Sequence, residues 1–197
     1  MTEKKQISNV TVPERRGGTS TCTEYLTISN FEELFEYSGY NLSTLKILML
    51  SKLTESRQII EKDQTSSQHH LHPICFPNLN LIRIINCENL KCLFPLTLAH
   101  GGLPNLGRLY LRRVSKLKQV FEGDEPNVSK DEEKVMHLPR LTYLRLDELP
   151  NLVSFSPVGY HFVFPFLIDL QVEGCPNITT RFSVDSEKSV HAKTKAS

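Results

Sequence analysis

Four segments of this chain align with one another over most of their length. They are FPNLNLIRIINCENLKCLF from Phe76, LPNLGRLYLRRVSKLKQVF from Leu103, LPRLTYLRLDELPNLVSF from Leu138 and FPFLIDLQVEGCPNITTRF from Phe164. Each opens on an apolar residue followed by Pro. Each continues into L-x-x-L-x-L with conservative exchanges: Leu79/Ile82/Ile84, Leu106/Leu109/Leu111, Leu141/Leu144/Leu146 and Leu167/Leu170/Val172. Further apolar residues follow in steps of three, at Cys87/Leu90, Val114/Leu117, Leu149/Leu152 and Cys175/Ile178. Two weaker copies lie upstream, one through Leu45, Leu48, Leu50 and Leu53, the other through Thr23, Leu26, Ile28, Phe31 and Leu34. The six units start at 23, 45, 79, 106, 141 and 167.

This spacing constrains the fold. Apolar residues two apart share one face of a strand, and apolar residues three apart suit a tight or 3₁₀ turn that brings the chain back. One such unit has no partner for its apolar set. Stacked units share one continuous core, and stability becomes a sum of neighbour terms. The period is that of leucine-rich repeats with two insertions. The expected architecture is therefore an α/β leucine-rich-repeat solenoid of about six repeats, an arc with a concave parallel sheet and an irregular or 3₁₀ convex side. Composition agrees: 27 leucines against three alanines do not suit a plain helical bundle.

The expected organisation is a polar segment over 1–20, the repeat domain over 21–182, and a disordered tail over 183–197. The insertions 61–74 (EKDQTSSQHHLHPI) and 122–137 (EGDEPNVSKDEEKVMH) are polar and fall outside the template, as loops at repeat edges do. Asn78, Asn105, Asn89, Asn151 and Asn177 sit at turn positions and read as scaffold. Cys87 and Cys175 share one inward slot, where a small soft side chain packs.

Several chemistries are excluded. A net charge of +1 removes the general case for nucleic-acid binding. No apolar run is long enough to span a membrane, and the opening residues hold no apolar signal-peptide core. With five scattered cysteines, this points to a cytoplasmic chain with reduced thiols. His69, His70, His72 and Cys75 lack metal-site spacing and read as a solvated loop, so no metal is expected. The glycine pair Gly102 and Gly107 mimics a phosphate loop, but Arg108 stands where Lys is needed and no Ser or Thr follows. No cofactor is expected. The sequons at Asn41, Asn127 and Asn177 read as unused. No nucleophile, base and orienting group stand together, so an enzyme is not expected.

Strand alternation puts the residues between and beside the core positions on the concave face. The central column reads Thr27, Met49, Arg83, Tyr110, Arg145, Gln171. It is flanked by Tyr25, Ile47, Leu81, Arg108, Tyr143, Asp169 on one side and by Ser29, Ser51, Ile85, Arg112, Asp147, Glu173 on the other. Three zones follow: an apolar patch of Ile47, Met49, Leu81 and Ile85, a basic and aromatic centre of Arg83, Arg108, Tyr110, Arg112, Tyr143 and Arg145, and an acidic end of Asp147, Asp169 and Glu173. Arg and Tyr are enriched in interface hot spots, and apolar surface marks docking sites. The expected ligand is an acidic protein surface.

The F/L-P-x-L-x-x-L-x-L units resemble the C-terminal leucine-rich repeats of plant intracellular nucleotide-binding disease-resistance receptors of the coiled-coil class. The Cys-x-Asn-Leu/Ile endings at Cys87–Leu90 and Cys175–Ile178 fit the same group. The resemblance covers roughly residues 21–182. The Gly-x-Ile-Pro element of the extracellular plant class is absent. No phosphate loop occurs in this chain, so what the resemblance implies is the role of the repeat region: sensing pathogen effectors or modified host proteins in the defence response, and holding a receptor inactive. The implied partner is a pathogen effector, a guarded host protein or a receptor's own nucleotide-binding module. Two alternatives stand beside it: a substrate-receptor adaptor for a ubiquitin ligase, and a non-functional truncated receptor fragment.

Overall fold

The computed structural model describes residues 25–29, 42–53, 75–99, 101–123, 134–180, 182–185, 188–190 and 193–195. Strands are numbered in chain order. Seven of them form one parallel sheet: β1 (Tyr25–Ser29), β2 (Ile47–Ser51), β3 (Leu81–Ile85), β5 (Arg108–Arg112), β8 (Tyr143–Asp147), β10 (Asp169–Glu173) and β13 (Lys193–Lys195), lying side by side in that order. The first six are the six expected L-x-L segments, and their columns pair as the sequence alignment requires. Met49 stands beside Arg83, Arg83 beside Tyr110, Tyr110 beside Arg145, and Arg145 beside Gln171. Thr23, Phe31 and Leu34 of the first unit, and the insertion 61–74 with its histidines, lie outside the described residues.

Each unit enters its strand through the same turn. The apolar residue before Pro is buried, and its carbonyl accepts from the amide three residues on: Phe76 from Leu79, Leu103 from Leu106, Leu138 from Leu141, Phe164 from Leu167. Proline fits the second position of such a turn, because its ring fixes φ and no amide is needed there. The residue just before each strand then accepts two amides from the next unit. Lys46, Asn80, Gly107 and Thr142 all do so, which locks neighbouring strands in register.

Each of the strands β2, β3, β5, β8 and β10 is followed by one residue with positive φ: Lys52, Asn86, Arg113, Glu148 and Gly174. A non-glycine residue in that conformation costs about 1–2 kcal/mol. The first four are held there because each amide donates to the last residue of the next strand, at Ile85, Arg112, Asp147 and Glu173 respectively. Asparagines bind adjacent units in the same way: Asn78 Nδ2 donates to the Ser43 carbonyl, Asn105 to Pro77, Asn151 to Ser115 and Asn177 to Pro150.

The core lies between this sheet and the returning chain. Leu79, Ile82, Ile84, Leu109, Leu111 and Leu146 are fully buried. On the returning side, Phe94, Phe121, Phe155 and Phe182 occupy the last position of the four aligned segments. With Phe162 and Phe164 they form a chain of ring contacts with centroids 4.9–6.2 Å apart. Two short sheets cover this side. One pairs β4 (Phe94–Pro95) with β6 (Phe121–Glu122). The other runs β12 (Lys188–Val190), β11 (Phe182–Asp185), β9 (Tyr160–Val163), β7 (Lys134–His137).

Three expectations are corrected here. No α-helix occurs among the described residues; the only helical pieces are 3₁₀ turns at Leu42–Thr44 and Leu96–Leu98, so the α/β label gives way to parallel sheet with turns. Steps of three residues with Pro and Asn at the bends leave no room for a full helical turn to repeat. The end of the 122–137 insertion is strand, not loop: Lys134–His137 pairs with Tyr160–Val163 and buries Met136. The segment 183–197, expected as a disordered tail, contributes to β11 and supplies β12 and β13, and Thr194 of β13 pairs with Val172. Unfilled backbone groups at the edge of β10 provide the pairing partner that composition alone does not show.

Candidate protein-binding face

Alternation along β2, β3, β5 and β8 divides the side chains sharply. Leu48, Leu50, Ile82, Ile84, Leu109, Leu111, Leu144 and Leu146 go to the core. Ile47, Met49, Leu81, Ile85, Tyr110, Tyr143 and Arg145 are half-buried on the opposite face, and Arg83, Arg108 and Arg112 are exposed there. All ten sequence-predicted face residues therefore lie on one side of one sheet.

They do more than share a face. Ile47, Met49, Leu81, Arg83, Ile85, Tyr110, Arg112 and Arg145 line one open depression of about 390 Å³, with Leu111 contributing from below. The apolar patch and the basic centre thus adjoin in a single hollow, with Arg83 standing between Leu81 and Ile85 on β3. Arg108 and Tyr143 stand outside it, paired with each other: the guanidinium carbon lies 5.6 Å from the ring centre, in range for a cation–π contact.

The electrostatics differ from the expected three zones. Asp147 does not belong to a separate acidic end. Register sets it beside Arg112, and Arg112 Nε lies 3.2 Å from Asp147 Oδ2, with Arg145 Nη2 at 3.5 Å from the same oxygen. Asp147 is only 6% exposed, and these two guanidinium groups supply the pairing that a buried polar side chain requires. Glu148, just past the strand, accepts from Arg112 at 3.3 Å and from Arg113 Nε at 2.8 Å. The Arg113 hydrogen bond, assisted by that of Arg112 and by both positive charges, holds the Glu148 carboxyl below its usual range, while Glu148 raises Arg113. Two of the four arginines on the face are therefore partly neutralised. Arg83 and Arg108 have no ion-pair partner among the described residues. Within the remaining acidic end, Asp169 Oδ2 accepts from Gln171 at 2.9 Å.

The cysteines carry no chemistry at this face. Cys87, Cys92 and Cys175 are buried and Cys75 is exposed, and Cys92 Sγ donates to Glu122 at 3.1 Å. Burial pushes the Cys87 and Cys175 thiols up from the ordinary range, which keeps them protonated and unreactive.

Tandem units that each lay one strand in a parallel sheet, return through Pro and Asn turns, and bury one leucine set between neighbours define a leucine-rich-repeat protein. The chain belongs to the family of plant disease resistance protein RPS2-like leucine-rich repeats, whose model matches residues 50–192. Among curated proteins it is similar to three from Arabidopsis thaliana. It is 31% identical to probable disease resistance protein At4g27220 over 51% of this chain and 10% of that protein. It is 27% identical to probable disease resistance protein At1g61310 over 60% of this chain and 12% of the relative, and 28% identical to probable disease resistance protein At1g12290 over 69% and 14%. The chain thus spans at most about a seventh of the length of these relatives. No solved structure matches.

Proposed function

We propose that this chain is a protein-interaction module of the plant defence response, working in the cytoplasm as a solenoid of about six repeats whose concave sheet face docks a protein. The partner is a pathogen effector, a modified host protein or a receptor's own nucleotide-binding module. The observation that carries this reading is the hollow in which Ile47, Met49, Leu81 and Ile85 surround Arg83, with Tyr110 beside it and Arg112 and Arg145 beyond. Few surfaces combine apolar area, an aromatic anchor and guanidinium groups at one spot, and these are the residue types that dominate interface hot spots.

The test is calorimetric titration with a partner first recovered from plant extract and identified. Tyr110→Ala combined with Arg83→Ala should weaken binding by about 2 kcal/mol or more. Deleting 124–133, within the polar insertion, should leave affinity unchanged. The reverse result would move recognition from the sheet face to the loop.

A further inference from the structure

The hollow on the sheet face has a chemistry specific enough to name what enters it. We infer that it takes an acidic peptide segment with one large apolar anchor: a Leu-, Met- or Phe-sized side chain seated over Ile47, Met49, Leu81 and Ile85, and an Asp or Glu held by Arg83. This rests on the sheet-face reading given above and specifies its partner.

Three observations select this occupant. The first is charge. Arg112 and Arg145 already share Asp147, and Arg112 also reaches Glu148. Arg83, in the centre of the hollow, is exposed and has no ion-pair partner among the described residues. The free cation capacity of the hollow is therefore concentrated in one guanidinium, which suits one carboxylate, bound bidentate, and not a chain of phosphates. The second is the neighbouring strand. Asp169 and Glu173 on β10 flank the arginines on the side away from the apolar wall, and their carboxylates oppose the continuous negative backbone of a nucleic acid. The third is the wall itself. Four half-buried aliphatic side chains and Tyr110 line a space of about 390 Å³, room for one large side chain with adjoining backbone, at the small end of ligand pockets.

Geometry sets the spacing in the partner. Strands lie about 4.8 Å apart, and an extended segment advances about 3.3 Å per residue. The anchor sits over β2 and β3, and Arg83 stands on β3 itself, at most one strand step away. A segment crossing the strands thus places its carboxylate one or two residues from its anchor.

The experiment pans a random twelve-residue peptide display library against the full chain, then titrates synthetic versions of the selected peptides by fluorescence anisotropy. Selected peptides should carry Asp or Glu one or two residues from Leu, Met or Phe. Arg83→Glu should weaken them by about tenfold or more, and replacing the peptide carboxylate by Lys should restore binding to Arg83→Glu while abolishing it on the parent. Arg83→Gln, which removes the charge without adding a repulsive one, should give an intermediate loss. Melting temperatures of both variants should match the parent, because Arg83 is exposed. Selected peptides that lack acidic residues, yet lose binding on Met49→Ala or Tyr110→Ala, would overturn this assignment and leave the face as an interaction surface. Peptides indifferent to Arg83, Met49 and Tyr110 alike would overturn both. Tighter binding of a single-stranded oligonucleotide than of any acidic peptide, lost in Arg83→Glu, would also overturn the peptide assignment.

Discussion

The units beginning at Leu103 and at Phe164 are built on one template, yet they end up in different environments. Leu106, Leu109, Leu111 and Leu117 in the first are all 0–1% exposed. Of their four counterparts in the second, Val172 is buried as well, but Leu167, Leu170 and Ile178 are only partly buried, and Phe166 and Ile168 beside them are 65% and 75% exposed. The residues are the same types in the same slots. What differs is the neighbour: β5 has a full unit on each side, whereas β10 has β8 on one side and the three residues of β13 on the other. Burial in a repeat protein is a property of the stack, not of the individual unit.

That contrast can be tested, from the largest expected effect downwards. Phe121→Ala removes a ring that contacts Phe94, Phe155 and Phe162 and should cost about 3–5 kcal/mol of stability in chemical denaturation. Phe166→Ala should stay within about 0.5 kcal/mol. Equal costs would show that the end of the array is covered as well as its middle. Leu109→Ala should cost about 2–5 kcal/mol, and Leu170→Ala, which already touches water, about half as much. Should Leu170→Ala match Leu109→Ala, the difference in burial has no energetic meaning.

Thiol labelling probes the same contrast without mutation. Cys75 is exposed, Cys175 is 7% exposed and Cys87 fully buried. Under native conditions an alkylating reagent should modify Cys75 first, Cys175 next and Cys87 last, because deep residues open only with larger unfolding events. Mass spectrometry of timed samples reads the order, and Cys87 reacting before Cys175 would contradict it. The smallest effect is electrostatic. The Glu148 carboxyl is depressed by Arg113 and Arg112, so its contribution is present above the ordinary carboxylate value of 4.5 and is lost as pH falls through the lowered one. Solvent screening makes this contribution minor. NMR titration should find Glu148 below 4.5 in the parent and closer to it in Arg113→Ala; an unmoved midpoint would show that the ion pair does not persist in solution.

The sheet was legible in the sequence because its rule is local. Period-two alternation, as at Leu109/Leu111, identified six L-x-L segments, and the Pro shared by four of them set the columns. The hollow followed from those columns, since Met49, Arg83, Tyr110 and Arg145 are consecutive neighbours once the register is known. Other features were hidden for physical reasons. Phe94, Phe121, Phe155 and Phe182 end the four aligned segments, a signal present in the letters but given no role because it falls beyond the period-two and period-three positions. Lys52, Arg113 and Glu148 carry no mark of positive φ, which is imposed by the next strand's carbonyl and not by their own side chains. Asp147 was assigned to an acidic zone by its column, but the same register places it against Arg112, and only the three-dimensional distance shows that Arg145 shares it. Pairing of β13 depends on the open edge of β10, which no property of Lys193–Lys195 announces.

The paired amides that converge on Lys46, Asn80, Gly107 and Thr142 use only backbone atoms. The frame that aligns the strands is therefore indifferent to which side chains stand on the outer face. Residues at the positions of Met49, Arg83, Tyr110 and Arg145 can be exchanged while the scaffold keeps its register. A family built this way is able to acquire new recognition by point changes or by trading whole units, such as the stretch from Leu103 to Gly123, without having to find a new way to fold.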